Sequence, residues 1–556
     1  MTTIARPAET SYLARHSKTA AEPESASVAR QVIGYLPVAI ILIAQAALSL
    51  KLARYAFASG DEGRYIYAGH QLIYELWHGG GSPYYETYFS GAPVIYPVLA
   101  AMADHVGGLL AVRLMSLVFM EIATCLLFSV TRRWFGYWPG VLAAGLFAGV
   151  GLTQDLGAYA TYDAMSLMLM ALAAYCATRT GDHEDRANHW LLAVPLVLLA
   201  ANATKYMSVL FDPVVIGLAA LQVAQSGLRR VVVRLVALTA TTAVLLSVAV
   251  FEGGGAYLQG IMSSTLNRDA SSAAFVPASA SASAILADTW DWTGAIIALA
   301  AIAVLASVLF RRGPGRPQTL LLSLLLVAGL LVTAEGIHLQ SIESMYKHDD
   351  FGIWFTCAAA GSVVARLTSR AIRPIIVVIL ILASGFIYTK TTSTTYQADD
   401  SATSLDEFAS LKPYLELKSA NYLLGGLSDE DLVYVDHLSI PWYQLFDDVY
   451  IKYPIPGRGG DSHGRAQGLA CFSMKPDCMY LEGVAGYLAA IHAHWFAVIS
   501  MVGEHYSAQD AAIENIVEHT RGYVRLTLLP GPPTWIYATD YPSYLRSVRM
   551  SLKATN

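Results

Sequence analysis

The sequence predicts an α-helical polytopic membrane protein of about eleven spans, with interfacial helices and a C-terminal exterior α/β domain. Three observations predict it. Of 556 residues, 55% are hydrophobic and only 14% charged, where a soluble chain is about 25% charged. Apolar runs of bilayer length recur along the first two thirds of the chain. The loops between them alternate in charge. A net charge of −6 supplies no basic field, which argues against a nucleic-acid partner.

Residues 1–31 are polar, with Arg6, Arg15, Lys18 and Arg30 and no apolar signal-peptide core. They are expected to form a disordered cytoplasmic tail. Residues 32–389 form the membrane domain. Spans are predicted at 33–52, 107–130, 138–154, 161–178, 190–204, 206–224, 231–251, 292–310, 318–337, 351–367 and 372–388. Each approaches the length of about 20 residues that crosses a bilayer core as a helix.

The connecting loops set the orientation. Cationic clusters stand at Arg132 and Arg133, at Arg179 and Arg186, at Arg229, Arg230 and Arg234, at Arg311, Arg312 and Arg316, and at Arg366, Arg370 and Arg373. They occupy every second loop, as the positive-inside rule requires of the cytoplasmic side. The intervening loops carry acids such as Asp61, Glu62, Asp155, Asp163, Asp349 and Asp350. An odd number of spans then leaves the N-terminus inside and residues 390–556 outside a bacterial plasma (inner) membrane.

From 390 onward the composition is that of a soluble domain. A strand-like run covers Leu432–Val435, a helix-like stretch Gly483–Ile499, and turn clusters fall at Pro454–Gly460 and Gly531–Pro533. Cys471 and Cys478 share this exterior domain, so a disulfide between them is expected in an oxidising compartment. Cys125, Cys176 and Cys357 fall within spans and suit buried small hydrophobes. His492 and His494 are weak metal candidates on the helix-like stretch.

The first exterior loop, 57–106, is the densest source of candidate chemistry. Asp61-Glu62 follows the first span, and Arg64, Tyr65 and the stretch to Trp77 come next. An acid pair at a helix start serves the helix dipole equally well. Its chemical alternative is a carboxylate that deprotonates an acceptor or binds a cation. Tyr96-Pro97 and the short apolar piece Val98–Ala103 suggest, with Tyr65–Trp77, two helices lying along the membrane surface.

Further candidates stand at other exterior mouths. Asp163 opens the fourth span after Tyr159–Tyr162, and Lys205-Tyr206 follows Thr204 between the fifth and sixth. Lys205 suits either a snorkelling lysine or a cation for a lipid phosphate. A last cluster includes Glu335, His338, Gln340, Glu343, Tyr346, Lys347, His348, Asp349 and Asp350. Its spacing matches no closed metal site, and a solvated loop is the plain alternative. The Ser/Ala-rich stretch Ala270–Ala287, inside the long loop 253–291, is expected to gate the exterior face.

Asp61-Glu62, Tyr96-Pro97, Gly108–Phe135, Tyr159–Asp163 and Thr204-Lys205-Tyr206 stand in this order on this topology. Together they resemble the GT-C membrane glycosyltransferases, in particular the protein O-mannosyltransferase and aminoarabinose transferase branch. The resemblance covers residues 33–390. It implies transfer of a monosaccharide from a polyprenyl-phosphate donor to a glycan, lipid or protein acceptor on the exterior face. It carries the catalytic acid to Asp61, with Glu62 beside it, the fourth-span aspartate to Asp163 and the phosphate-binding lysine to Lys205. Arg64, Tyr65, Tyr96, Tyr206, His338, Lys347 and His348 join as candidate substrate and phosphate contacts. A divalent cation (Mg, Mn or Ca) is a candidate cofactor. In-line displacement predicts inversion at the anomeric carbon. A glycan ligase using a polyprenyl pyrophosphate is the nearest enzymatic alternative, and a non-catalytic scaffold or a transporter are the other two.

Overall fold

The computed structural model describes residues 24–53, 60–78, 85–87, 89–181, 184–266, 280–309, 316–342, 345–369, 371–380 and 382–383, with five strands between 422 and 538. The membrane half is all helix. In chain order its helices are α1 (Glu24–Ala53), α2 (Gly60–His78), α3 (Tyr96–Phe135), α4 (Tyr137–Ala148), α5 (Gly151–Leu156), α6 (Tyr162–Arg179) and α7 (Glu184–Thr204). Then come α8 (Asp212–Leu221), α9 (Leu228–Ile261), α10 (Ala282–Leu309), α11 (Arg316–Ala328), α12 (Leu331–Leu339) and α13 (Met345–Leu367). A further helical stretch covers 373–380.

Among the described residues, five helical segments are long and apolar enough to cross a membrane: Tyr35–Ala53, Tyr96–Phe135, Leu228–Ile261, Ala282–Leu309 and Pro317–Leu339. The chain is a multi-pass membrane protein. Other predicted spans appear as shorter or broken helices. The third is divided into α4 and α5, and the sixth into a 3₁₀ segment, Tyr206–Phe211, followed by α8. α1 starts at Glu24, inside the stretch expected to be disordered, because Ala, Val, Arg and Gln let helix propagate outward from the span.

The 40 residues of α3 would measure about 60 Å as one straight helix, twice the bilayer core. The chain avoids this with a break at Gly107-Gly108. Gly108 has φ 66° and ψ −166°, a conformation open to glycine because it has no Cβ. The arm Tyr96–Val106 turns away from the span Leu109–Phe135, and the sequence's short apolar piece 98–103 is that arm. A similar break at Gly254 divides α9.

Small residues let the spans approach closely. A core of Ala, Leu, Met and Val side chains runs through α3, α4, α6, α7, α8, α10 and α13. Trp354 of α13 is 1% exposed, and its indole N–H donates to the Ala123 carbonyl of α3 at 2.9 Å. Cys125, Cys176 and Cys357 are free thiols in this bundle.

The C-terminal part contributes strands β1 (Tyr422–Gly425), β2 (Val433–Val435), β3 (Trp495–Ile499), β4 (Val524–Thr527) and β5 (Thr534–Ala538). They form one mixed sheet in the order β2-β1-β3-β5-β4. β1 runs parallel to β3, and the other pairs are antiparallel. The helix-like stretch Gly483–Ile499 therefore ends in a strand. Trp495–Ile499 is rich in aromatic and β-branched residues, and the sheet supplies partners on both sides of it. The predicted turn Gly531–Pro533 falls between β4 and β5. Cys471, Cys478, His492, His494 and the gate stretch 270–279 lie outside the described residues.

Candidate active site at the exterior mouths

Two segments far apart in sequence build the floor of the site. The Ala92 N–H donates to the Ala203 carbonyl at 2.7 Å, and the Tyr206 N–H donates to the Ser90 carbonyl at 2.8 Å. Gly91 sits against this junction, and a Cβ there would lie 2.0 Å from the Thr204 carbonyl oxygen. The two strands of chain pinch Lys205 between them. Below, Ser208 donates to the Asn202 side-chain carbonyl at 2.6 Å, and the Asn202 amide donates to Asp212 at 2.8 Å. That chain of bonds fixes the end of α7.

Lys205 reaches Asp163 in the first turn of α6, with Nζ 2.7 Å from Oδ1. Lys205 is 4% exposed and Asp163 1%. Removing either partner would leave a buried uncompensated charge, at a cost on the order of 3–5 kcal/mol. Lys205 Nζ also lies 4.6 Å from the Tyr162 ring centroid, where the negative ring face adds attraction. Tyr162 bonds through its hydroxyl to Ser90. Its ring packs 4.2 Å from Tyr65 and 6.2 Å from Tyr96, centroid to centroid. Asp163, Lys205, Tyr65 and Tyr96, proposed separately from sequence, thus meet in one buried cluster, and the Tyr206 backbone helps to close its floor.

Glu62 stands in the first turn of α2 and is fully buried. Arg113 of α3 donates to both of its oxygens at 2.7 Å, a forked geometry. The Ala160 N–H, just before α6, donates to Oε1 at 2.7 Å. Arg113 also donates to the Ala53 carbonyl at the end of α1, at 3.1 Å. One carboxylate thereby joins α2, the span of α3 and the turn that presents Asp163. Asp61 precedes Glu62 on the same helix; the side chains of Asp61 and Arg64 lie outside the described residues. Close by, His70 of α2 meets Asp104 of the α3 arm at 2.7 Å, tying these two helical segments together.

A cavity of about 30 Å³ adjoins Lys205, lined among others by Ser90, Ser264, Glu335 and His348. His348 is buried there. His338 is exposed at the end of α12 and does not line that cavity. Lys347 stands 5.6 Å from the Tyr346 ring and borders a separate small cavity with Asp155. The structure brings neither of these two to Lys205.

Asp349 and Asp350 are buried at the start of α13, not solvated in a loop. Thr153 bonds to Asp350 at 2.7 Å. Burial pushes the Asp349 carboxyl up to about 7 and the Asp350 carboxyl up to about 8. Burial also pushes Asp155, which adds to the repulsion on Asp350, up to about 7. Among the described residues, no group of three or more His, Cys, Asp or Glu side chains converges to hold a metal ion.

Sequence reasoning passed over Arg113 and Ser90. Arg113 had a usable signal: a lone cation inside an apolar run needs a partner. Ser90 had none.

Residues 92–251 match the family model described as dolichyl-phosphate-mannose-protein mannosyltransferase. Over that stretch the chain resembles this family. The matched stretch holds Tyr96, Arg113, Asp163, Lys205 and Tyr206, the greater part of the cluster above. Two solved structures also match along most of the chain. One is ArnT from Cupriavidus metallidurans bound to undecaprenyl phosphate, at 13% identity and a TM-score of 0.44, covering 93% of this chain and 99% of that one. The other is the archaeal oligosaccharyltransferase AglB from Archaeoglobus fulgidus, in complex with an inhibitory peptide and a dolichol-phosphate. It is 11% identical with a TM-score of 0.45, covering 91% of this chain and 74% of that one. No curated protein matches the chain.

Proposed function

We propose that the chain transfers a monosaccharide from a polyprenyl-phosphate donor to an acceptor hydroxyl at the exterior membrane face, with inversion at the anomeric carbon. The observation that carries the reading is the buried Asp163–Lys205 pair at the mouths of α6 and α7, walled by Tyr65, Tyr96 and Tyr162. A buried lysine beside a carboxylate suits a phosphate whose lipid tail stays in the bilayer. Aromatic walls suit a sugar ring.

In this reading Asp61 is the general base. Of the adjacent acids, Glu62 is engaged by Arg113 and the Ala160 N–H, which leaves the base role to Asp61. The acceptor oxygen attacks the anomeric carbon and its proton passes to the Asp61 carboxylate. The bond from that carbon to the phosphate oxygen breaks, and its electron pair leaves on the phosphate. Lys205 stabilises the charge that develops there. Its ammonium has three donors, enough to hold Asp163 and a phosphate oxygen together. General-base help of this kind contributes about 10²–10⁴ in rate.

The cavity beside Lys205, at about 30 Å³, is far below the roughly 300–1,000 Å³ of a small-molecule site. Donor entry therefore requires its walls, the 264–265 turn and the end of α12, to separate. No step above uses a metal, since the described residues offer no ligand set for one.

The test is donor consumption by the purified protein across a panel of polyprenyl-phosphate monosaccharides, with and without chelator. The expected result is turnover of one donor that Asp61→Asn and Lys205→Met each abolish. A folded protein that consumes no donor overturns the transferase. Unchanged turnover in Asp61→Asn keeps the transferase and removes the base. Loss of turnover on chelation brings in a divalent cation held by residues beyond those described.

A further inference from the structure

The turn that presents Lys205 is held from the bundle side as well as from the junction with 90–92. α7 ends at Thr204, Lys205 is extended at φ −148° and ψ 120°, and the 3₁₀ segment starts at Tyr206. A break of this kind leaves the last carbonyls of a helix without helical partners. The apolar stretch around it carries three polar side chains, Asn202, Ser208 and Asp212, and buries all of them, at 4%, 1% and 6% exposed. A buried polar group left without a bond costs about 1–3 kcal/mol. Three of them in one apolar wall therefore call for partners.

They find them in one another and in the Lys205 backbone. Asp212 stands in the first turn of α8, and its Oδ2 accepts from Asn202 Nδ2 at 2.8 Å. A carboxylate accepts, so it takes the N–H side of the amide and turns the carbonyl side the other way. That carbonyl oxygen lies 2.6 Å from Ser208 Oγ. The Ser208 hydroxyl has one proton and a second acceptor in reach, the Lys205 carbonyl at 2.9 Å. The Ser208 N–H donates to the same carbonyl at 3.1 Å, and the Lys205 N–H donates to the Ala201 carbonyl at 2.9 Å. Lys205 is thus tied through both its N–H and its carbonyl, and the carbonyl is tied through a relay that ends at Asp212.

We propose that Asp212 and Asn202 are positioning residues for Lys205. Asp212 orients the Asn202 amide, the amide holds Ser208, and Ser208 holds the backbone from which the Lys205 side chain reaches Asp163. The effect on turnover rests on the transferase reading above; the positioning itself is a property of the fold. A lysine carries its charge on a flexible four-carbon stem, so its ammonium is placed only as well as its backbone is. Charge developing on a leaving phosphate is stabilised by a donor already in place, and a displacement of about 1 Å can cost roughly 10²-fold in rate. Donor binding is less sensitive, because a flexible lysine still finds a ground-state phosphate. The relay therefore acts on kcat more than on KM.

The test uses the full-length protein in detergent and two readouts. One is kcat and KM for the polyprenyl-phosphate monosaccharide that the wild type consumes. The other is acetylation of Lys205 by a short pulse of acetic anhydride, read by mass spectrometry against the other lysines. Asp212→Leu and the milder Ser208→Ala should each raise Lys205 acetylation. In both, kcat should fall by about 10–100-fold with a smaller change in KM. Asp212→Asn keeps an oxygen that accepts from Asn202 and should return both readouts towards wild type. Lys205 acetylation at the wild-type level in folded Asp212→Leu and Ser208→Ala proteins overturns the proposal. So does a fall in turnover that only follows the amount of folded protein. If the wild type consumes no donor, the transferase reading fails, and the acetylation readout alone decides the positioning.

Discussion

Among the described residues, two sets of buried carboxylates near the candidate site stand in different surroundings. Glu62 and Asp163 each face a buried cation, Arg113 and Lys205. Asp155, Asp349 and Asp350 lie near one another with burial as their dominant influence. The first two each have a counter-charge built beside them. The other three have their pKa raised, because an isolated anion at that depth is costly. The difference lies in whether the fold supplies a cation with the acid.

The sharpest way to break the comparison is to remove one half of a pair. Arg113→Met leaves Glu62 buried beside a single backbone donor and should cost about 3–5 kcal/mol. Adding Glu62→Gln should restore most of that loss. A thermal-unfolding double-mutant cycle reads both values, and simple additivity would show that the two residues do not depend on each other.

Lys205→Met should cost a similar or slightly smaller amount, because Asp163 can then take up a proton. Asp163→Asn/Lys205→Met should recover stability while turnover stays lost. That separates the pair's structural role from its chemical one. Recovery of turnover in the double variant would remove both residues from the mechanism.

Gly91→Ala tests the junction that pinches Lys205. A Cβ cannot share space with the Thr204 carbonyl, so the segments must part, at about 1–3 kcal/mol. Turnover should fall beyond the loss of folded protein, since Lys205 shifts with its backbone.

The second set gives the smallest effect. A carboxyl whose folded-state pKa lies above its unfolded value of about 4 stabilises the fold while it holds its proton. That contribution is complete below about pH 4 and is lost as pH rises towards the 7–8 range of Asp155, Asp349 and Asp350. The wild-type Tm should therefore drop as pH rises from about 4 to about 8 and level off above that. Asp350→Asn keeps the oxygen that accepts from Thr153 and should flatten the drop by about 2–4 °C. An unchanged slope would mean that these acids are already ionised in the fold.

The helical, multi-pass character was legible because hydropathy is a local average, and five of the predicted spans appear as long apolar helices among the described residues. The short apolar piece 98–103 was legible as a unit apart from the span that follows it, because a glycine pair stands between them. Arg113 was hidden by the same averaging: one cation inside 107–130 hardly moves the mean. Asp163 and Lys205 each stood out as an ionisable residue at a helix mouth. Their meeting was not legible, since it depends on the backbone junction of 90–92 with 203–206, which no local pattern announces. The Trp495–Ile499 strand was missed for a related reason: an apolar run of that length suits a helix or a strand until its sheet partners are known.

The break at Gly107-Gly108 has a mechanical consequence. Because α2 is tied to the α3 arm by His70 and Asp104, and to the span by Glu62 and Arg113, the break is braced on both sides. The arm and α2 then move as one unit, and Tyr65 and Tyr96, one on each, keep their spacing to Tyr162.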